Sequence, residues 1–341
     1  MKINGQQVEF IEGATILEIA TAAGIYIPTL CYKKGLTPAG GCGVCIVEDL
    51  STGKIMPSCA TVAIDSLNLN SNSEKVIAIR NSALELLLND HPADCEAPCQ
   101  MACPSGLPVQ KMLKLVAVRK WDEAKELAQQ YPFVCGDSLC ETPCEKVCRR
   151  SKLGGPVAIC AIHRMLCDDV SVDPTKKVPS PHKFRSRMKG LSDEVMLELA
   201  EEKGKRIYSS DNPINKELAV YEARRCLQCG CGKPDNCELR DLCGELGIRQ
   251  TNYTGTIREI FRESGPGGFQ FDSSRCILCG RCVRTAQNLG VKIGPACHGR
   301  GFDARIGPPL GRSWDDIDVE TLTACADVCP TGAMVAARCT R

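Results

Sequence analysis

The segment from Cys95 to Cys148 constrains the fold of this chain more than any other, because it contains seven cysteines in 54 residues. They form two regularly spaced blocks, Cys95-x3-Cys99-x3-Cys103-Pro104 and Cys135-x4-Cys140-x3-Cys144-x3-Cys148. A cysteine followed by proline after a closely spaced series is typical of bacterial iron–sulfur sites, where soft thiolates match iron. Apolar residues near helical spacing between Val109 and Gln130 predict one amphipathic helix or two short ones. We therefore expect a helical spacer that folds the two blocks together.

Residues 90–167 resemble the amino-terminal iron–sulfur domain of the glutamate synthase small subunit and of dihydropyrimidine dehydrogenase. The resemblance rests on Cys103-Pro104, on Cys140-x3-Cys144-Glu145-x2-Cys148, and on Pro156-Val157-Ala158-Ile159 leading to His163. It implies a mainly helical domain, assigned to residues 81–170, that holds two [4Fe-4S] clusters. For one cluster it implies the ligands Cys103, Cys140, Cys144 and His163, although the family usually has Gln or Glu at the last position.

For the other cluster, the same resemblance implies the ligands Cys95, Cys99 and Cys148. The first block has three cysteines where the family has four, so this set is one ligand short. Cys135 is the favoured candidate for the vacancy and His91 is the second, since cysteine is the commoner cluster ligand. His91 also opens a His-Pro-x-Asp-Cys sequence similar to one in the large iron–sulfur subunit of NADH:quinone oxidoreductase (complex I), where the histidine is a cluster ligand.

The amino-terminal cysteines are spaced as Cys31-x10-Cys42-x2-Cys45-x13-Cys59, with Gly40, Gly41 and Gly43 around the second one. Glycines suit a tight cluster-binding loop because they allow backbone N–H groups to approach the sulfurs. An Asn4-Gly5 turn and a helix over residues 15–23 precede the cysteines. The pattern resembles the [2Fe-2S] domain of the complex I large iron–sulfur subunit and of iron-only hydrogenases, which implies a β-grasp ferredoxin domain over residues 1–80. A zinc ribbon is the weaker alternative, because zinc sites favour two short-spaced pairs.

The carboxyl-terminal cysteines follow a C-x2-C-x2-C series with a remote Cys-Pro pair. A fourth ligand supplied from elsewhere in the chain makes this a strong [4Fe-4S] pattern. It resembles the single-cluster ferredoxin segment of the complex I large iron–sulfur subunit, assigned here to residues 246–341. The ligands implied by that resemblance are Cys276, Cys279, Cys282 and Cys329.

A further group has the spacing Cys226-x2-Cys229-x-Cys231-x5-Cys237-x5-Cys243 and follows a proline-rich, basic segment. We expect residues 171–245 to form a linker with one helix, from Ser192 to Lys203, and a cysteine-rich cluster segment. The spacing favours Cys226, Cys229, Cys231 and Cys237 as ligands. Zinc remains an alternative to iron at this group, since compact sets of four cysteines bind either metal.

Six cysteines are left over, and we expect them to be small buried apolar residues: Cys160, Cys167, Cys243, Cys297, Cys325 and Cys339. With 25 cysteines and only 4% aromatic residues, the 341-residue chain is expected to fold as an α+β protein of several small modules built around inorganic cores. We expect one [2Fe-2S] cluster and about four [4Fe-4S] clusters.

Composition also limits which cellular compartment and which classes of binding partner we expect. The sequence has neither a long apolar run nor a signal peptide at residues 1–10, which predicts a cytoplasmic protein without membrane insertion. Thiols stay reduced there, so metal binding is favoured over disulfides. Lys and Arg (42) nearly balance Asp and Glu (41), and no basic run suggests nucleic-acid binding.

Sequence motifs for catalysis and nucleotide binding are missing. We find no Gly-x-Gly-x-x-Gly turn, no P-loop and no hydrolase motif, so we predict no catalytic residues and no flavin or nucleotide in this chain. The resulting hypothesis is an electron-transfer subunit between an FMN-containing, NAD(P)H-oxidising flavoprotein and a separate catalytic subunit. The alternative is a zinc-stabilised assembly scaffold in which cysteines replace a hydrophobic core.

Overall fold

The computed structural model describes residues 1–89, 91, 94–131, 140–167, 197, 204–209, 213–233, 236–248, 253 and 258–336. The chain divides into two compact units. The first unit combines Met1–Pro92 with Asp235–Arg341, and the second unit is Ala93–Pro234. The described part of the chain contains both helices and sheets, which confirms the predicted α+β multidomain class.

The first unit opens with a five-stranded mixed sheet in the order β2-β1-β5-β3-β4. Its strands are β1 (Lys2–Ile3), β2 (Gln6–Gln7), β3 (Ile46–Asp49), β4 (Lys54–Pro57) and β5 (Asn68–Asn70). The predicted Asn4-Gly5 turn joins β1 to β2 with positive φ at both residues. The predicted first helix is confirmed as α1 (Ile16–Ala22), which begins at a capping box of Thr15 and Glu18 and packs its apolar face into the core of this sheet.

Helix α2 (Glu74–Asn89) is held against the cysteine loop of this domain by a buried arginine. Arg80 is 3% exposed and donates to the backbone oxygens of Val44 (2.8 Å), Ile46 (3.1 Å) and Ser71 (3.0 Å). Two of these acceptors flank Cys45 in the sequence. One guanidinium therefore fixes the backbone on both sides of a predicted cluster ligand.

Replacing Arg80 with methionine is expected to lower the free energy of unfolding of the first unit by roughly 1–3 kcal/mol, because three buried carbonyl oxygens lose their donor. Lys75→Met on the same helix is the matched control: Lys75 is half exposed, and its 3.4 Å ion pair with Glu48 and its 2.7 Å hydrogen bond to the Gly53 carbonyl are both exposed. The control should change the free energy by less than ~0.5 kcal/mol. Anaerobic urea unfolding measures both, and equal effects would contradict the role given to Arg80.

The second unit is built from six helices in its described part: α3 (Pro98–Ala102), α4 (Val109–Ala117), α5 (Trp121–Gln129), α6 (Pro143–Lys146), α7 (Ile159–Cys167) and α8 (Lys216–Arg224). A short 3-10 helix spans Arg149–Lys152. The predicted spacer forms two helices rather than one, because Arg119 between them has a positive φ of 63°. Helix α4 packs against α5 and α8, and α5 packs against α7.

Helix α8 lies within the segment predicted to be a linker, and it contributes Ala219, Val220 and Ala223 to the hydrophobic core of the second unit. This end of the segment is therefore packed structure. The helix predicted from Ser192 to Lys203 falls outside the described residues.

The first unit continues with α9 (Glu238–Glu245), α10 (Arg281–Asn288) and α11 (Val319–Val328). A three-stranded sheet has the order β10-β7-β6, and β8 pairs with β9 in a hairpin. These strands are β6 (Arg262–Gly265), β7 (Phe269–Asp272), β8 (Ala296–His298), β9 (Arg305–Gly307) and β10 (Met334–Val335). Phe269 and Phe271 on β7 contact Trp314 at ring-centroid distances of 4.9 and 5.3 Å and form the centre of this core. Within the described residues, no helix is both long and apolar enough to cross a bilayer.

Candidate metal centres

The amino-terminal thiol set consists of Cys31, Cys42, Cys45 and Cys59, and the structure brings all four together. Cys31 is within hydrogen-bonding reach of Cys42 and Cys59, and Cys45 is within reach of Cys59. Hydrogen bonds from Cys42 and Cys59 lower the pKa of Cys31 to about 2, and a hydrogen bond from Cys59 lowers that of Cys45 to about 7. The same hydrogen bonds raise the pKa of Cys42 and Cys59, so two of the four sulfurs, those of Cys31 and Cys45, are favoured as thiolates, the form that binds iron.

Glycines let the loop around Cys42 take its shape. Gly40 and Gly43 have positive φ values of 64° and 69°. A Cβ at Gly43 would lie 3.2 Å from the Cβ of Ala83 on α2, so a larger residue there would push the loop away from the helix. The backbone N–H of Val44 hydrogen-bonds to the Cys42 sulfur, as expected of a cluster loop.

The carboxyl-terminal thiol set consists of Cys276, Cys279, Cys282 and Cys329, which line one cavity of the first unit. The backbone N–H groups of Leu278 and Arg281 hydrogen-bond to the sulfurs of Cys276 and Cys279. Leu278 has a φ of 52°, the left-handed conformation that turns its N–H toward the first cysteine of the C-x2-C loop. Burial raises the pKa of Cys276 to about 12, so these thiols need a cation to stabilise their thiolates.

A second cavity lies in the second unit and is lined by cysteines from three separate segments. They are Cys99, Cys148, Cys226 and Cys229. We call it the three-segment cavity. Burial raises the pKa of Cys99, and the charges of Cys226, Cys148, Cys229 and the nearby Cys144 raise it further, as expected of thiols that lie close together. The sequence patterns place these residues in two different ligand sets.

The set implied by resemblance as Cys103, Cys140, Cys144 and His163 has neighbours that sequence reasoning missed. The sulfurs of Cys144 and Cys160 are 3.6 Å apart, and His163 Nε2 is 3.6 Å from the sulfur of Cys167. From the sequence, Cys160 and Cys167 are predicted to be small buried apolar residues. The spacing of four residues between His163 and Cys167 on helix α7 was a signal that places them on one face.

The remaining predicted ligands are Cys95, Cys135, Cys231 and Cys237. The backbone N–H of Cys231 donates to the Cys95 carbonyl at 3.2 Å, and both residues are buried. Cys237 occupies the N-cap position of α9 in the first unit. Cys135, like the leftover Cys339, lies outside the described residues.

His91 belongs to the first unit, where it is 4% exposed and hydrogen-bonds to the backbone of Arg275. Burial and the nearby Arg275 charge lower its pKa to about 4, so the imidazole is neutral at physiological pH. Its Nδ1 atom has no hydrogen-bond partner in the described part of the chain. The structure therefore places His91 beside the residue that precedes Cys276.

The leftover cysteines Cys243 and Cys325 are buried as predicted, and Cys325 donates to the Cys282 carbonyl at 3.4 Å. The prediction for Cys297 is wrong, because this residue is exposed. Its neighbours on β8, Ala296 and His298, are half-buried, so Cys297 points to the opposite, solvent-facing side of the strand.

The donor chemistry of these sites fits iron–sulfur clusters. Two cavities each present four thiols, and backbone N–H groups point at several of the sulfurs. Within the described ranges, no three His, Cys, Asp or Glu side chains converge on one point as a single-ion site requires. A cluster requires less convergence, because each thiolate binds a different iron at the edge of an extended core.

Comparison with known proteins identifies three iron–sulfur domains. Residues 1–74 match the family model of a 2Fe-2S iron-sulfur cluster binding domain. Residues 90–173 match that of dihydropyrimidine dehydrogenase domain II, 4Fe-4S cluster, and residues 268–335 match the ferredoxin-like domain of NADH-quinone oxidoreductase subunit 3. The chain thus contains one 2Fe-2S domain and two 4Fe-4S domains, which confirms the three resemblances on which the sequence analysis rested.

Several curated proteins are similar to this chain. The NADP-reducing hydrogenase subunit HndD of Solidesulfovibrio fructosivorans is 43% identical over 98% of this chain and 35% of the relative. The NADPH-Fe(3+) oxidoreductase subunit alpha of Geobacter sulfurreducens is 35% identical over 43% of the chain and 18% of the relative. The NADH-ubiquinone oxidoreductase 75 kDa subunit of Reclinomonas americana is 40% identical over 27% of the chain and 14% of the relative. The chain therefore spans about a third or less of the length of these relatives.

A solved structure supports the fold. A crystal structure of NAD+-reducing [NiFe]-hydrogenase in the H2-reduced state superposes with a TM-score of 0.54 at 19% identity, covering 99% of this chain and 87% of that one. The chain is thus an iron–sulfur protein that resembles the large iron–sulfur subunit of complex I and the corresponding subunits of hydrogenases.

Proposed function

We propose that this chain is an iron–sulfur electron-transfer subunit that relays single electrons within a multisubunit oxidoreductase linked to NAD(P)H. Iron–sulfur clusters exchange single electrons, and burial and N–H···S bonds tune their potentials. The relatives in the comparison are subunits of NADH-, NADPH- or NADP-linked oxidoreductases and hydrogenases by name. This proposal extends their class of activity to the present chain.

The main support for the proposal is one arginine, whose side chain hydrogen-bonds to the backbone of two predicted cluster ligands. Nη2 of Arg284 on α10 donates to the carbonyl oxygens of Cys31 (2.8 Å) and Cys279 (2.9 Å). Cys31 belongs to the amino-terminal thiol set and Cys279 to the carboxyl-terminal set. Burial raises the pKa of Cys279 to about 11, and the charges of Cys329 and Cys31 contribute, so the two sets interact electrostatically. This arrangement supports direct electron transfer between a [2Fe-2S] and a [4Fe-4S] cluster.

A second arginine on the same helix strengthens this connection. Arg281 is 2% exposed and donates to the Tyr32 carbonyl at 2.7 Å. Both of its terminal nitrogens also bind the carboxylate of Glu238 at 2.7 Å. The bidentate pair with Glu238 orients the planar guanidinium of Arg281, so little side-chain entropy is lost for each hydrogen bond. Through its bond to the Tyr32 carbonyl, α10 therefore holds the Cys31 loop rigidly.

The finer assignments belong to the same proposal. We infer a β-grasp domain over residues 1–80, a double-cluster domain over 81–170, a cysteine-rich segment over 171–245 and a ferredoxin-like module over 246–341. Taken from the sequence alone, the ligand sets call for one [2Fe-2S] and four [4Fe-4S] clusters, or about 18 iron atoms per chain. The proposed partners are an FMN-containing flavoprotein subunit and a separate catalytic subunit, in a cytoplasmic complex.

The test begins with anaerobic purification of the chain and measurement of its iron, acid-labile sulfide, zinc and visible absorption. We expect a brown protein that NAD(P)H does not reduce until the flavoprotein subunit from the same host is added. Association with that subunit should survive gel filtration, as stable interfaces bury more than ~1,000 Å². A colourless zinc protein, or a pure chain that itself reduces NAD(P), would refute the proposal.

The contacts of Arg284 lead to a prediction about the rate of electron transfer between two clusters. Arg284→Met should slow electron transfer between the [2Fe-2S] cluster and the carboxyl-terminal [4Fe-4S] cluster, because the hydrogen bonds joining Cys31 and Cys279 are lost. Lys292→Met is the control, since it removes one positive charge after the same helix. Flash photoreduction followed at the [2Fe-2S] absorption band measures the rate. Equal electron-transfer rates in the two variants would show that Arg284 does not contribute to transfer between these clusters.

A further inference from the structure

The three-segment cavity gathers Cys99 from the first cysteine block, Cys148 from the second block, and Cys226 and Cys229 from the loop that follows α8. We propose that these four cysteines bind one [4Fe-4S] cluster, so that the 226–229 loop completes a site that the two blocks leave unfinished. The inference rests on the proposed iron–sulfur function and changes its ligand sets. The family model for this domain ends at residue 173, so the loop lies outside it.

The 226–229 loop has the backbone conformation of the cluster loop at 276–279. Gln228 and Leu278 occupy the same place in their C-x2-C sequences, and their φ values are 53° and 52°. In each loop this residue points its N–H at the sulfur of the first cysteine; the distance is 3.5 Å for Gln228 and Cys226. Left-handed φ is uncommon for residues other than glycine. The repetition indicates that both loops are shaped to receive the same kind of ligand.

Buried contacts hold the 226–229 loop at the cavity from its amino-terminal side. Arg225 is fully buried, donates to the carbonyl oxygens of Gly154 and Gly155 at 2.8 Å, and pairs with Glu222 at 2.7 Å. These glycines lie shortly after Cys148 in the sequence. Arg225 therefore fixes Cys226 relative to the second cysteine block.

Gln110 on α4 holds the other end of the loop. Its amide donates to the Gly230 carbonyl at 3.1 Å and accepts from the Gly230 N–H at 2.7 Å. A Cβ at Gly230 would lie 2.7 Å from the backbone nitrogen of Ala97, so only glycine allows this approach to the first cysteine block. The loop is thus held at both ends by residues that are 70 to 120 positions away in the sequence.

The charges around the cavity suit a cluster with four thiolates, which has a net negative charge. Arg149 and Arg150 line the cavity beside Cys148, and Arg149 hydrogen-bonds to the sulfur of Cys229. Arg149 also pairs with Asp94 at 2.5 Å, which orients its guanidinium. Buried negative charge needs such compensation, since taking an unpaired charge out of water is costly.

With this assignment, the cluster bound by Cys99 and Cys148 has four cysteine ligands and needs neither Cys135 nor His91. It also removes two ligands from the set predicted as Cys226, Cys229, Cys231 and Cys237, so that set cannot hold a cluster of its own. Cys95 and Cys231 contact each other through their backbones and do not line the cavity. The expected content falls from about 18 to about 14 iron atoms per chain, from one [2Fe-2S] and three [4Fe-4S] clusters.

The test compares Cys99→Ala, Cys226→Ala and the double variant in the full chain, purified anaerobically. If both residues bind the same cluster, each single variant loses about four iron atoms and the double variant loses no more. Cys231→Ala is the matched control, because Cys231 lies two residues after the 226–229 loop and outside the cavity, and this variant should keep all of its iron. The [2Fe-2S] absorption and electron paramagnetic resonance (EPR) signal report that the rest of the chain is folded.

Additive losses, about eight iron atoms in the double variant, would overturn the proposal by showing that Cys99 and Cys226 bind different clusters. Iron loss in Cys231→Ala equal to that in Cys226→Ala would overturn it as well. If an alanine variant does not fold, serine variants replace it. Cys99→Ser and Cys226→Ser should then shift one and the same [4Fe-4S] EPR signal. Shifts in two different signals would refute the proposed site. A chain that contains no iron refutes the proposed function itself.

Discussion

Replacing Arg225 with methionine is expected to destabilise the second unit by roughly 3–5 kcal/mol, which is the typical cost of leaving a buried charge without its partner. Arg225 and Glu222 are both fully buried, so the variant leaves the Glu222 carboxylate buried without its counter-charge. The carbonyl oxygens of Gly154 and Gly155 lose their donor as well. Loss of this anchor should also release the 226–229 loop and lower the iron content.

Anaerobic urea unfolding followed by tryptophan fluorescence measures this effect. The chain has two tryptophans, so a Trp314→Phe background leaves Trp121 on α5 as a reporter of the second unit. Arg224→Met is the control, because Arg224 is exposed and makes one 3.3 Å hydrogen bond to Ala117. It should change stability by less than ~0.5 kcal/mol. Similar midpoints for the two variants would contradict the role of the buried pair.

Replacing His163 with cysteine should lower the potential of its cluster by on the order of 100 mV, because an anionic thiolate replaces a neutral imidazole. His163 is 1% exposed on α7, and this helix packs into the core that contains Cys140 and Cys144. Thiolate stabilises the oxidised cluster more than imidazole does, as the higher potentials of histidine-ligated Rieske centres show.

A redox titration monitored by EPR measures that shift. Cys167→Ser is the matched control: the Cys167 sulfur is 3.6 Å from His163 Nε2, so the variant changes the neighbour and keeps the proposed ligand. The control should leave the potential within experimental error. An unchanged potential and spectrum in His163→Cys would show that Cys160, Cys167 or another group is the ligand.

Two thiol sets were predictable because their ligands follow local rules. Cys42 and Cys45 lie on one short glycine-rich loop, and Cys276 and Cys279 on another, so sequence spacing nearly dictates which sulfurs meet. The Asn4-Gly5 turn and the capping box at Thr15 are equally local, and the structure contains both. Cys59 and Cys329 are remote, and the family resemblances supplied them.

The three-segment cavity follows no such local rule. Its cysteines are spread from Cys99 to Cys229, and spacing alone favoured joining Cys226 and Cys229 to the cysteines that follow them. Their actual neighbours depend on where α8 packs and on the hydrogen bonds of Arg225 and Gln110, which connect residues far apart in the chain. Such contacts leave little trace in spacing or hydropathy.

The kind of chemistry was therefore settled by residue types, because closely spaced cysteines in a chain with few aromatic residues favour soft metals whatever the fold. The grouping of those cysteines depended on tertiary packing, since a cluster selects four sulfurs by distance in space and not by order in the chain. Arg284 illustrates the same division: its charge is evident from its residue type, but only the packing of α10 brings it to the carbonyls of both Cys31 and Cys279.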